Sequence, residues 1–247
     1  AVVAGVFTVV YSLIPPGGFD ALEYHVGAPA KYLTEGRISY ITYNVYSNFP
    51  SNSEMLYLMS MALSGSKLSG AILGNVLNAY IAIAACIAVY GLGTYLSCPK
   101  AGAFAAAALI TSMGFFAVAT GVYVEPLQIL YTVLAVLAVS KFIQGANRGA
   151  LVAGAIAIGL AMGVKYPAAV LVAVPLAASV LLVRGSVAAR IRALAIFSAV
   201  SMLVVAPWLV KNVIFTGNPV YPLVYKFLGG RDWNHLQDAR WAFAHTP

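Results

Sequence analysis

Asp20, Glu23 and His25 lie close together in the chain and have side chains that can accept or donate protons. Asp20 and Glu23 are about one helical turn apart, so a helix would place them on the same side and would direct His25 elsewhere. A carboxylate that is partly desolvated at a membrane surface can act as a general base. The structural alternative is that Asp20 caps a helix while Glu23 and His25 are solvated. The spacing leaves both interpretations open.

Three further charged residues, Glu125, Lys165 and Lys211, stand at the ends of apolar segments. Glu125 precedes Pro126, and because the helix dipole favours an acid at this position, capping is the alternative to substrate binding. Lys165 lies in a very short turn between two apolar segments. A cation there needs a partner, an anionic ligand or a path to water. Lys211 is most simply interpreted as an anchor at the membrane interface.

The histidines do not show the spacing of metal ligands. His235 and His245 lack such spacing with each other and with His25. The sequence therefore predicts no metal site. A divalent cation bound through Asp20 and Glu125 stays open, since spacing in the chain does not test it.

The elements that must position these side chains are membrane-spanning helices. The chain is 62% hydrophobic and 9% charged, with a mean hydropathy of +0.88, whereas soluble domains have about 25% charged residues. Its apolar runs are long enough to cross a bilayer and do not alternate as strands of a barrel would. The basic residues that give the net charge of +7 are spread along the loops, which argues against nucleic acid as a partner. The predicted fold class is an all-α polytopic membrane protein.

Hydropathy predicts about seven transmembrane helices within a core of residues 1–210. An external loop over 15–68 contains an amphipathic interfacial helix over 19–33, and an external tail over 211–247 is expected to lead to a C-terminal part that this chain lacks. The predicted spans are residues 1–14, 69–96, 101–117, 126–142, 150–164, 167–183 and 193–210.

Positive charge in the short turns predicts the orientation. The turns at 97–100, 141–149 and 184–192 contain Lys and Arg but no acid, so they are expected to face the cytoplasm. All seven acidic residues then lie in or beside external segments. The predicted location is the cytoplasmic (inner) membrane, with the active face outside the cytoplasm.

Four segments resemble a known family in their order and in their position relative to the spans. They are Phe19–His25, Tyr43–Pro50 followed by Glu54–Tyr57, Gly163–Tyr166, and Ala206–Asn212 followed by Thr216–Pro222. Together they resemble the membrane-embedded C-type glycosyltransferases (the GT-C fold), which use lipid-phosphate sugars. Protein O-mannosyltransferases and bacterial phospholipid-carrier-dependent enzymes belong to this group.

The resemblance implies that a sugar moves, with inversion, from a polyprenyl-phosphate carrier to an acceptor whose identity the sequence does not give. Asp20 matches the family's catalytic base. Ala21 occupies the position where the family often has a second acid, so that the next acid here is Glu23. Lys165 would lie near the leaving phosphate. The residues expected to bind substrate are Glu23, His25, Glu125, Lys165 and Lys211. The implied partners are the lipid-linked donor and membrane lipids.

Two other interpretations differ in class. The chain could be a non-catalytic subunit, derived from such a transferase, within a larger membrane complex, since the family's further spans are not in this sequence. It could also be a secondary transporter, although polar residues at mid-span are scarce and no inverted repeat is evident.

Overall fold

The computed structural model describes residues 1–245, which form helices and loops without a β-strand. This confirms the predicted all-α fold class. Short π-helical segments cover Ala21–His25 and Ala169–Ala173, and a 3₁₀ turn covers Val45–Asn48. The α-helices are α1 (Val2–Tyr11), α2 (Gly27–Glu35), α3 (Asn52–Ser64), α4 (Lys67–Leu96), α5 (Pro99–Ile110), α6 (Met113–Ala119), α7 (Glu125–Gly145), α8 (Arg148–Met162), α9 (Val174–Val180), α10 (Val187–Thr216), α11 (Tyr225–Leu228) and α12 (His235–His245).

Fewer helices than predicted are long enough to cross a membrane. Among the described residues, α4, α7 and α10 qualify by length and composition, and α5 with α6 would make a fourth span with a bend of 68°. The spans predicted over 1–14, 150–164 and 167–183 instead correspond to shorter apolar helices of 10–17 residues. The count of seven is therefore corrected to three or four. The reason is that an apolar run also includes turns and breaks, whereas about 20 helical residues are needed for a typical crossing.

Successive helices are joined by short turns and pack side by side. The most extensive contacts join α4 with α5, α4 with α7, α7 with α8, and α8 with α10, while α3 lies against α4. Glycines allow two of these approaches. A Cβ atom added at Gly154 would lie 2.9 Å from Cγ2 of Val139, and one added at Gly159 would lie 2.6 Å from Cβ of Val204. Small residues thus bring α8 close to both neighbours, an arrangement that is common in membrane helix bundles.

The polar segments meet at one end of the bundle, which we call the polar end (residues 15–66, 120–125, 163–167 and 211–245). Here the Tyr57 hydroxyl donates to the carbonyl of Tyr123 at 2.5 Å, and the backbone N–H of Asn52 donates to the carbonyl of Gly163 at 2.9 Å. The indole N–H of Trp208 in α10 donates to the Asn52 side chain at 2.8 Å. All seven acidic residues of the chain lie in segments of this end.

The opposite end, the basic end, consists of residues 95–100, 141–149 and 181–192. The Tyr95 hydroxyl donates to the side-chain oxygen of Gln144 at 2.7 Å, which joins the ends of α4 and α7. Arg148 and Arg192 line one small cavity, which brings the α7–α8 and α9–α10 turns together. The three turns that the sequence places on one side of a membrane therefore share one end of the bundle.

The first polar segment is less regular than the predicted helix over 19–33. The π-helical turn Ala21–His25 is followed by Val26, whose φ of −111° departs from regular helix before α2 begins. α2 then ends at Gly36, whose φ of 65° is in the left-handed region that glycine adopts without strain. Tyr32 and Ala28 of α2 are buried against Ile41. α2 is therefore anchored in the polar end by its own small core.

The tail also has structure. The predicted boundary at residue 210 falls inside α10, which continues to Thr216. The remaining tail contains α11 and α12. Of the predicted tail over 211–247, Thr246 and Pro247 lie outside the described residues.

Candidate functional site

A cavity of about 460 Å³ opens at the polar end, and we call it the aromatic cavity. Its walls come from the first polar segment (residues 15–66), from the residue before α7, from the turn around Lys165 (residues 163–167) with Val170, and from the tail. Its polar groups include tyrosine hydroxyls, one carboxylate, one ammonium group and two imidazoles. The residues that line it are Tyr24, His25, Tyr46, Phe49, Pro50, Glu54, Val124, Val164, Lys165, Tyr166, Pro167, Val170, Leu223, Trp241 and His245.

His25 and Glu54 form a buried pair in the wall of this cavity. The distance between His25 Nδ1 and Glu54 Oε1 is 2.7 Å, and the two side chains are only 4% and 9% exposed. The second carboxylate oxygen of Glu54 is buried and has no hydrogen-bond partner. A carboxylate at Nδ1 holds the imidazole in the tautomer whose Nε2 accepts a proton. The pair can therefore present a proton acceptor to the cavity.

Glu125 and Lys165 form a second pair, which supplies the partner that the sequence required for Lys165. The distance between Lys165 Nζ and Glu125 Oε1 is 2.5 Å, and the side chains are 43% and 36% exposed. Lys165 lines the cavity, whereas the other oxygen of Glu125 is buried without a hydrogen-bond partner. An ammonium group has three donors, so Lys165 keeps donors for a ligand while it contacts Glu125.

Asp20 and Glu23 are not among the residues that line the cavity. Asp20 is exposed at the start of the π-helical turn and makes no side-chain capping hydrogen bond, so the capping alternative is not observed. It lies next to Tyr24: burial, together with the charge of the Asp20 carboxylate, raises the pKa of Tyr24 above its usual value. Glu23 is half-buried, and its backbone carbonyl accepts a hydrogen bond from Asn44 at 3.1 Å.

Lys211 supports the wall of the cavity without lining it. Its Nζ donates to the carbonyl of Phe49 at 3.2 Å and to that of Ser47 at 3.4 Å. The same ammonium group lies 5.3 Å from the ring centroid of Trp208. The structure thus brings His25 and Lys165 together in the cavity with Glu125 beside them. Asp20 contacts this set through Tyr24, and Lys211 holds the loop over residues 45–49.

Aromatic rings from distant parts of the chain form the outer wall. Tyr46 is stacked on Tyr24 with centroids 5.0 Å apart, and Trp241 of α12 lies 5.3 Å from Tyr46 and 5.9 Å from Phe49. Sequence reasoning did not select these residues or Glu54. The signal for Tyr46 and Phe49 was present in the Tyr43–Pro50 motif. Trp241 had no such signal, because only folding brings the tail to the cavity.

Within residues 1–245, no group of three or more His, Cys, Asp or Glu side chains is arranged to hold a metal ion. Asp20 and Glu125, the two residues considered for a divalent cation, have other neighbours here. Glu125 is paired with Lys165, and Asp20 lies beside Tyr24.

The sequence profile of one protein family, described as a domain of unknown function (DUF8201), matches residues 50–239, which is more than half of the chain. The chain belongs to this family. The DUF8201 region includes Glu54, Glu125, Lys165 and Lys211; it begins after the segment with Asp20 and His25 and ends before Trp241. No curated protein and no solved structure matches the chain.

Proposed function

We propose that the protein is an integral-membrane glycosyltransferase that moves a sugar from a polyprenyl-phosphate carrier to an acceptor, with inversion. The observation that supports this most is the aromatic cavity, which combines Lys165, the His25–Glu54 pair and a wall of aromatic rings. Its volume of about 460 Å³ is within the range of cavities that enclose small ligands. It also lies at one end of helices that could cross a membrane, where a lipid phosphate meets water.

In the proposed reaction, Lys165 lies where the phosphate gathers negative charge as the bond to the anomeric carbon breaks. A preorganised cation at this point stabilises the leaving group. The contact with Glu125 keeps the ammonium group in place before the donor binds. The polyprenyl phosphate then leaves with both electrons of the broken C–O bond.

The acceptor hydroxyl must lose a proton as its oxygen attacks the anomeric carbon. Asp20 is the proposed base, because it is an exposed carboxylate beside Tyr24 of the cavity. His25 competes for this role, because it lines the cavity itself and is oriented by Glu54. Substitution of each residue separates the two assignments.

We further propose that the chain spans the cytoplasmic membrane of a bacterium, with the polar end outside. The short helix α8 supports this, because it reaches from the basic end, where Arg148 begins it, to the polar end, where the carbonyl of Gly163 binds Asn52. The apolar helix Ala169–Val180 makes the same passage: Val170 lines the aromatic cavity and Val183 lines the cavity at the basic end. The absence of acids from the basic turns supports the orientation.

The test uses the full chain in proteoliposomes that contain polyprenyl-phosphate sugars with a radiolabelled sugar, one sugar at a time, together with a bacterial envelope extract as the source of acceptor. We expect transfer of label from the lipid phase by the wild type and a loss of about a hundredfold or more in Asp20→Asn. Glu35→Gln is the matched control, because Glu35 is an exposed acid of the same segment that pairs with Lys31. Its rate should equal that of the wild type.

Two results would contradict the proposal at different levels. Full activity of Asp20→Asn with loss of activity in a His25→Gln variant that is shown to be folded would move the role of base to His25 and leave the transferase in place. Absence of transfer with every donor, from a folded wild-type protein that copurifies with other subunits in fixed stoichiometry, would favour the non-catalytic subunit.

A further inference from the structure

A second cavity, of about 230 Å³, lies at the basic end between the α7–α8 turn and the α9–α10 turn. We call it the arginine cavity, because Arg148, Arg184 and Arg192 all line it. The three residues are exposed, and none of them forms an ion pair among residues 1–245. Three guanidinium groups from two separate turns thus face one small space.

No acidic side chain of the described residues lies at this end to compensate their charge. All seven acidic residues lie at the polar end, and the nearby Lys100, Lys141 and Arg190 add further positive charge. Like charges that share a small space repel one another. An anion in the arginine cavity would remove this repulsion, and guanidinium groups bind phosphate through two parallel hydrogen bonds.

The rest of the cavity wall is apolar. Phe142 and Leu151 line it from α7 and α8, and Val183 and Ile196 line it from the other side. A free inorganic anion gains nothing from such a wall. A phospholipid uses both parts, because its phosphate contacts the arginines while its glycerol and first methylene groups contact the apolar side chains.

The position of the cavity fits the same ligand. Phe142 lies in the last turn of α7 and Arg192 in the second turn of α10, and both helices are long and apolar enough to cross a membrane. The cavity is therefore level with the ends of the spans, where headgroups of one leaflet lie. We propose that the arginine cavity binds the phosphodiester headgroup of an anionic phospholipid. This site is separate from the aromatic cavity and does not depend on the proposed sugar transfer.

The experiment measures lipid binding to the purified full chain by native mass spectrometry in a neutral detergent, with phosphatidylglycerol and phosphatidylcholine as probes. The test variant is Arg184→Gln with Arg192→Gln. The control variant, Lys100→Gln with Arg190→Gln, removes the same charge from the same end at residues that do not line the cavity. We expect the test variant to bind phosphatidylglycerol about tenfold more weakly or worse, and the control to bind as the wild type does.

Equal weakening in both double variants would overturn the proposal, because it would show attraction to general surface charge. Equal binding of phosphatidylcholine and phosphatidylglycerol by the wild type would overturn it as well. Displacement of phosphatidylglycerol by millimolar inorganic phosphate would assign the site to free phosphate instead of lipid. Arg192→Lys keeps the charge and loses the bidentate geometry, so partial binding by this folded variant supports the site even if the double variant fails to fold.

Discussion

At the scale of single residues, the two charged pairs at the aromatic cavity differ in burial, and this decides what each contributes. The His25–Glu54 pair is almost fully enclosed, whereas the Lys165–Glu125 pair is more than a third exposed on each side. Removing one partner of a buried pair leaves an uncompensated group in a low-dielectric interior. Exposed pairs contribute little to stability because water screens them. We therefore expect the His25–Glu54 pair to stabilise the fold and the Lys165–Glu125 pair to contribute mainly to ligand binding.

This difference can be measured. His25→Ala should reduce the free energy of unfolding by about 3 kcal/mol, because it leaves the Glu54 carboxylate buried without its partner. Lys165→Gln should change stability by less than about 1 kcal/mol. Reversible unfolding in mixed micelles, followed by circular dichroism, measures both. If both variants lost the same free energy of unfolding, burial of the pair would not determine its contribution to stability.

The buried tyrosine Tyr32 predicts a loss of stability in alkali. Burial raises the pKa of Tyr32 from 10.0 to about 12, and its hydroxyl donates to the carbonyl of Ser47. The folded chain keeps this proton at a pH where the unfolded chain releases it. The stabilisation is therefore complete below pH 10.0 and is lost as the pH rises toward about 12. In Tyr32→Phe the melting temperature should fall less steeply over this interval than in the wild type, and parallel curves would refute the assignment.

At the scale of elements, α8 joins two of the long helices, because it packs against both α7 and α10. The sequence predicted a span at 150–164. It did not show which neighbours Gly154 and Gly159 face, because a one-dimensional pattern contains no information about contacts between distant helices. The predicted length was also wrong, since the apolar run continues past Met162 into the turn that contains Lys165.

A methyl group at Gly159 tests this packing. Gly159→Ala should destabilise the protein by about 1–3 kcal/mol, since the added Cβ would lie 2.6 Å from Val204 and neither helix can move freely. Gly91→Ala is the control: Gly91 lies in α4 with nothing within 4 Å of an added Cβ, so the change should be neutral or stabilising. Thermal unfolding of the two variants in the same detergent gives the comparison.

At the scale of the whole molecule, the separation of acids from the basic turns was visible in the sequence, and the structure places the two groups of segments at opposite ends. Glu125 and Lys165, which stand at the ends of apolar runs, pair beside the cavity, whereas Asp20, the predicted base, does not line it. The role of Glu54 as partner of His25 did not follow, because a single acid near the start of a helix has an ordinary capping interpretation. The number of helices long enough to cross a membrane could not be predicted from the sequence either, because hydropathy depends on composition and does not show where a helix ends.

The two cysteines of the chain provide a test of orientation. Cys98 is exposed at the basic end, and hydrogen bonds from the backbone N–H of Ala101 and from Ser97 lower the pKa of its thiol, whereas Cys86 is buried. A membrane-impermeant maleimide should therefore label Cys98 in inverted vesicles and not in intact cells. In a Cys98→Ser background, Thr42→Cys at the polar end should show the opposite pattern. Labelling of Cys98 from outside would reverse the proposed orientation.

The contact of Trp241 with Tyr46 and Phe49 has a consequence for the order of assembly. A ribosome releases the N-terminal helices long before it reaches residue 241, so the first polar segment and the Lys165 turn can dock while one side of their enclosure is still open to the surroundings. Helix α12, which follows these segments in the chain, completes that enclosure. A chain shortened before α12 should consequently insert and fold its helical bundle, but the aromatic cavity would stay open on the side that Trp241 covers.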